Sequence, residues 1–246
     1  MFSVLAAVFF TTCGLEDYPF IYPVYQANIT QDMNYRAVVR IPNNNPSPPF
    51  SHFAIFYRIY VSDVLVSSTT SSASYSQINQ TLSSNYNSIY PYIDSTTLVN
   101  TNMETLFQGL GFMYLYLQTS TITSAENVLG SNVLGSTLTF DFTSQKYPTM
   151  TIDDTTEYIL CRSNGNGTFS PRPDRYFVNT DDLWNSDYIN ANTNADVVNK
   201  SSFTQGTRYT YAALYIVAVG VDDSTYASIY STPSLIHVFL LPDSWY

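Results

Sequence analysis

Lysine is almost absent from this chain: Lys146 and Lys200 are the two among 246 residues. Nine basic against nineteen acidic side chains leave a formal charge of −10. Such a chain has little to offer a phosphate backbone or an anionic headgroup, so nucleic acid is excluded as a partner. Histidine and cysteine are equally scarce, with two of each. His52 and His237 have no Cys, Asp or Glu at metal-ligand spacing, which argues against zinc. Two cysteines build no disulfide framework. The most apolar stretch after the N-terminus, residues 208–221, is shorter than the roughly 20 residues a membrane-spanning helix needs. G-x-S-x-G, H-E-x-x-H and P-loop patterns are missing as well, and with them the common signatures of serine hydrolases, zincins and nucleotide-binding enzymes.

Serine, threonine and asparagine, by contrast, total 77 residues, and tyrosine adds 22. These types favour strands and turns over helices. Aromatic residues at 16% supply the burial that ordering requires. The composition nearly excludes an all-helical protein.

Residues 1–12, MFSVLAAVFFTT, carry no charge and contain an apolar run from Val4 to Phe10. That length suits the hydrophobic region of a secretory signal. The basic region that precedes such a run is missing, so the true start is expected upstream of Met1, or the signal is trimmed. Phe10-Thr11-Thr12-Cys13-Gly14 follows where a lipoprotein signal places its cleavage site and acylated cysteine. Cys13 is therefore the expected lipidation site, and the membrane an expected partner through that lipid. Cys161, within Tyr158-Ile159-Leu160-Cys161, reads as a buried small hydrophobe. Residues 13–24, with Pro19 and Pro23, form a stiff extended lead.

Cys13-Gly14-Leu15-Glu16 with its tyrosine- and proline-rich continuation resembles the start of spirochaete envelope lipoproteins, treponeme-like ones in particular. Phe53-Ala54-Ile55-Phe56-Tyr57-Arg58-Ile59-Tyr60 is similar to a strand of the same proteins. The resemblance covers these two segments and implies a place in the cell envelope rather than an activity.

Residues 25–30 and 35–41 alternate apolar and polar side chains as strands do, and the proline-rich residues 42–49 break the chain. Residues 53–61 are apolar on both faces, as in a sheet covered on both sides. Residues 208–221 read as a central strand, and residues 230–241 as the last. These final segments resemble the last two strands of a fibronectin type III domain, with residues 53–60 as its third. The fold expected is thus an immunoglobulin/fibronectin type III-like sandwich over residues 25–246. Such sandwiches take about 100 residues, so a long insertion at about 66–205 is expected within it. That insertion carries one short helix over 77–90, spaced by Ile78, Leu82, Tyr86 and Ile89 and stopped by Pro91. Further strands are expected at 106–118, 136–142, 149–153, 157–162 and 176–179. The VLGS doublet in residues 128–136 reads as a loop.

Asp153-Asp154 with Glu157, Asp181-Asp182 with Asp187, and Asp222-Asp223 stand beside expected strand ends. Two such groups meeting in space suit Ca²⁺, which takes six to eight oxygens, or a glycosidase acid/base pair. Solvated turn aspartates are the plainer reading, and no cofactor is required. Phe169, Arg172, Arg175 and Trp184 mark an expected binding surface, its arginines suited to an anionic partner.

Together these features describe a lipid-anchored, non-enzymatic binding or adhesion module with a protein or glycan ligand. A glycan-binding or glycan-cleaving protein and a structural envelope component are the alternatives. Radioactive palmitate should label the wild-type chain in cells and leave Cys13→Ala unlabelled. Equal labelling of both forms would remove the anchor.

Overall fold

The computed structural model of the chain describes residues 21–32, 35–45, 48–62, 112–118, 129–143, 148–161, 197–198 and 209–241. Among them are twelve strands: β1 Ile29–Asp32, β2 Arg36–Arg40, β3 Phe50–Ser62, β4 Met113–Tyr114, β5 Tyr116–Gln118, β6 Thr137–Asp141, β7 Thr149–Ile152, β8 Thr156–Cys161, β9 Val197–Val198, β10 Tyr209–Val221, β11 Ser228–Tyr230 and β12 Ser234–Leu240. Two short 3-10 turns, Gln26–Asn28 and Ser131–Val133, complete the described elements. The strands form two sheets, β1-β2-β6-β7-β8-β5 and one centred on β10-β3. The all-β sandwich expected from the strand pattern is present.

The second sheet is built on β3 and β10. They pair antiparallel from Tyr209 opposite Ser62 to Gly220 opposite Phe50. β12 and β11 share the far side of β10, while β4 and the parallel β9 share the far side of β3. Phe53, Ile55, Tyr57 and Ile59 of β3 join Ala212, Leu214, Ile216 and Ala218 of β10 in the inter-sheet core. The intervening Ala54, Phe56, Arg58, Tyr211, Ala213, Tyr215 and Val217 are buried too. This sheet is therefore covered on both faces, as the continuous apolar pattern requires. Phe112 packs edge-on against Tyr215, with ring centroids 5.2 Å apart. The Arg58 guanidinium lies 6.0 Å from the centre of the same Phe112 ring, a cation–π arrangement that suits a buried cation.

The first sheet takes one apolar face and one polar face. Ala37, Val39, Leu138, Phe140, Met150 and Leu160 enter the core, while Arg36, Arg40 and Glu157 are exposed. β6, β7 and β8 form a meander, and β5 returns beside β8. That spatial order is a Greek key. β4 through β8 all derive from the segment expected as an insertion, yet they occupy places in both sheets. Residues 112–118 cross between the sheets: β4 pairs with β3, Leu115 N–H donates to the Ile55 carbonyl at 2.8 Å, and β5 pairs with β8. A strand that changes sheets in this way makes a corner. Phe142 and Phe239 bridge the two sheets, stacked at 4.1 Å.

Two expected strands are shortened for local reasons. Residues 26–28 turn before β1, with Asn28 N–H donating to the Tyr25 carbonyl. The last strand splits into β11 and β12 because Pro233 has no N–H for the ladder. Ser231 fills the gap: its N–H donates to the Ala218 carbonyl, and its hydroxyl accepts from Ala218 N–H. The expected helix over 77–90 and strand over 176–179 lie outside the described residues.

The lead is built into the core. Ile21 and Val24 are buried, and Asn45 clamps the backbone between them. Tyr22 N–H donates to Asn45 Oδ1 at 2.7 Å, and Asn45 Nδ2 donates to the Tyr22 carbonyl at 3.1 Å. Ser234 Oγ donates to the Val24 carbonyl. At the same end Gly220 admits the Pro49 carbonyl and the Ile21 side chain against its Cα; a Cβ there would lie 2.5 Å from Ile21 Cδ1 and closer still to Pro49 O. Backbone cannot yield as a flexible side chain does. Gly220→Ala should therefore cost about 1–3 kcal/mol, read as a lower denaturant midpoint at unchanged slope. An unchanged midpoint would show that the close approach is not required.

Candidate functional site

Chain direction gathers four features at one end of the sandwich. β2 runs down to Ile41, and β3 starts at Phe50 opposite Gly220. The β7–β8 turn meets the start of β6, because Asp153 N–H donates to the Thr137 carbonyl. The β10–β11 turn follows Val221, whose N–H donates to the Pro49 carbonyl. Ile21 lies against Gly220 at this same end.

Two of the aspartates here are tied into the fold by their carboxylates. Asp153 and Asp154 have left-handed backbones, φ 49° and 55°, a conformation that aspartate tolerates better than most residues. Asp153 Oδ1 accepts Thr137 N–H at 2.8 Å. That bond, then one from the Ser136 hydroxyl, holds the carboxyl below its ordinary pKa. Asp222 Oδ1 accepts from Ser224 Oγ at 2.6 Å, Ser224 N at 2.8 Å and Thr225 N at 3.3 Å. The same Ser224 and Thr225 donors depress its pKa, the Ser224 hydroxyl most. Both carboxylates are thus engaged as acceptors within the fold. Glu157 sits in β8 opposite Thr151, and Asp223 is exposed in its turn. Among the described residues no three His, Cys, Asp or Glu side chains gather as a metal cluster. Cys13, Phe169, Arg172, Arg175, Asp181, Asp182, Trp184 and Asp187 lie outside the described residues.

The histidines and the described cysteine are embedded in sheet. His52 Nδ1 lies 3.1 Å from Ser51 Oγ, and burial lowers its pKa. His237 is buried opposite Leu214, its ring edge-on to Phe239 at 4.9 Å. Cys161 is a buried thiol whose pKa burial pushes up to about 12, the inert state of a structural cysteine.

What this end presents outward is tyrosine, at positions that no motif in the sequence marks. Tyr226 is 84% exposed, and Tyr230 and Val221 of the same hairpin are exposed as well. Tyr226 closes the turn with its N–H donating to the Asp222 carbonyl at 2.7 Å, at φ 57°. That left-handed position ordinarily takes Gly or Asn, and a bulky residue there costs roughly 1 kcal/mol. The ring is held out on a turn whose stability it does not serve. A single signal lay in the sequence: a large ring inside Asp-Asp-Ser-Thr-Tyr-Ala-Ser, where its neighbours are small or polar. The end surface can offer flat aromatic contact beside hydroxyl and carboxylate acceptors.

Because Asp153 and Asp222 have folded-state pKa values below the ordinary 3.8, their stabilisation is complete above that value. It is lost as pH falls through the lowered folded values. Asp153→Asn should melt below wild type at neutral pH, and the gap should close as pH falls below the ordinary value. A gap constant with pH would mean that the charge on Asp153 is immaterial. No protein-family model, curated protein or solved structure matches the chain.

Proposed function

We propose that the chain is a lipid-anchored bacterial envelope protein whose β-sandwich acts as a non-enzymatic binding or adhesion module. The observation that carries this reading is the seating of the lead. Ile21 and Val24 are core residues and Asn45 brackets Tyr22, so only residues 14–20 separate the expected acylated Cys13 from a fixed point of the domain. A chain made for release has no need of so short a connection.

Several features support a binding role over catalysis. Asp153 and Asp222 accept hydrogen bonds within the fold, which leaves them poorly placed as an acid/base pair. The large exposed apolar side chains among the described residues are three tyrosines and one valine; tyrosine gives rigid contact area at low entropic cost. The neighbours β12-β10-β3 follow the order of the G, F and C strands in immunoglobulin-type sandwiches, which favours the fibronectin type III-like reading. The other sheet departs from that pattern, since β6 is followed outward by β7 and β8. Sandwiches host many functions, so the role rests on the lead and the surface rather than the fold.

Protease shaving of intact cells, followed with an antibody to residues 164–187, should remove the signal if the module faces outward. Protection until lysis would place it in the periplasm and replace adhesion with envelope scaffolding.

A further inference from the structure

We infer that the β10–β11 turn is the membrane-facing end of the domain, with the Tyr226 ring resting at the headgroup level of a zwitterionic bilayer. This rests on the anchored reading above and adds an orientation and a contact to it. Eight peptide steps join Cys13 to Ile21, a reach of at most about 29 Å. Ile21 is fixed against Gly220, one residue before Val221 and the turn that carries Tyr226. β3 and β10 are 13 residues long, which at 3.3 Å per residue makes the sandwich about 43 Å from end to end. An acyl group on Cys13 therefore holds this end near the bilayer, and the end marked by Ser62 and Tyr209 beyond the reach of an upright tether.

The chemistry at this end selects the surface. A tyrosine that is 84% exposed has an apolar ring and a polar hydroxyl, the combination that settles at membrane–water interfaces. Tyr230 and Val221 are exposed near it. Asp154 and Asp223 are exposed at this end as well, so anionic lipid opposes the contact and an uncharged headgroup layer admits it. A ring with weak intrinsic affinity suffices, because the tether keeps its local concentration high.

The test places an environment-sensitive fluorophore on Ala227→Cys, next to Tyr226, and in a second variant on Thr143→Cys at the opposite end. Both positions are exposed, and the buried Cys161 thiol, with its pKa pushed up to about 12, does not compete for label. The full chain is mounted on phosphatidylcholine vesicles through its own acylated Cys13. In parallel, a hexahistidine tag at that position binds nickel-chelating lipid, so the contact is read whether or not cells acylate Cys13. Failure of the anchor appears in palmitate labelling; failure of the orientation appears only here. Expected are a blue shift and loss of acrylamide quenching at position 227, with position 143 unchanged. Tyr226→Asn, which suits the left-handed backbone, should reverse the shift, and so should added phosphatidylserine. Solvent-like emission at 227 on both mounts, equal shifts at 227 and 143, or a shift that survives Tyr226→Asn would overturn the proposal.

Discussion

The pairing of β3 with β10 is the constraint on which the remainder of the structure depends. These two strands are the longest described, and both faces of their ladder are buried. Each contributes alternate residues to the inter-sheet core, and burial of one Ile, Leu or Phe side chain is worth about 1.5–3 kcal/mol. A slip by one residue would exchange every inward for every outward side chain. The alternation of Ile55, Tyr57 and Ile59 against Leu214 and Ile216 leaves one register that also seats Gly220 beneath Pro49. Four further strands attach to the free edges of this pair.

From that pair outward, each addition solves an edge or a corner. Residues 112–118 leave β3 for β8 and join the sheets on one side. On the other side Gln31 Nε2 donates to the Ile236 carbonyl at 3.0 Å, linking β1 with β12. The lead enters beside this second corner through Asn45 and Ser234. Core and residues 21–24 are in this way one structure, and their position defines which loops lie beside the lead.

Asp153 and Asp222, which stand out in the sequence, are consumed by turn geometry, each accepting from backbone or hydroxyl donors nearby. The ring that stands out in the structure, Tyr226, is inconspicuous in the sequence because its exposure arises from a left-handed turn. An aromatic residue on such a turn makes contact area, whereas a carboxylate already hydrogen-bonded makes a stable hairpin.

Local pattern is enough to specify the all-β class, the central strands and their two-sided burial. Side-chain alternation and β-branched content are local properties, legible without partners, as residues 53–61 and 208–221 illustrate. It also marked the turn at Asp153-Asp154, though not its purpose. Tertiary structure alone decided that residues 112–161 supply strands to both sheets, since pairing across long separations leaves no periodic trace. It alone decided that Asn45 would hold the lead, that Gly220 would lie under Pro49, and that Tyr226 would point into solvent at the lead's end. Those outcomes depend on which surfaces meet once β3 and β10 are in register, and no single stretch of chain encodes such a meeting.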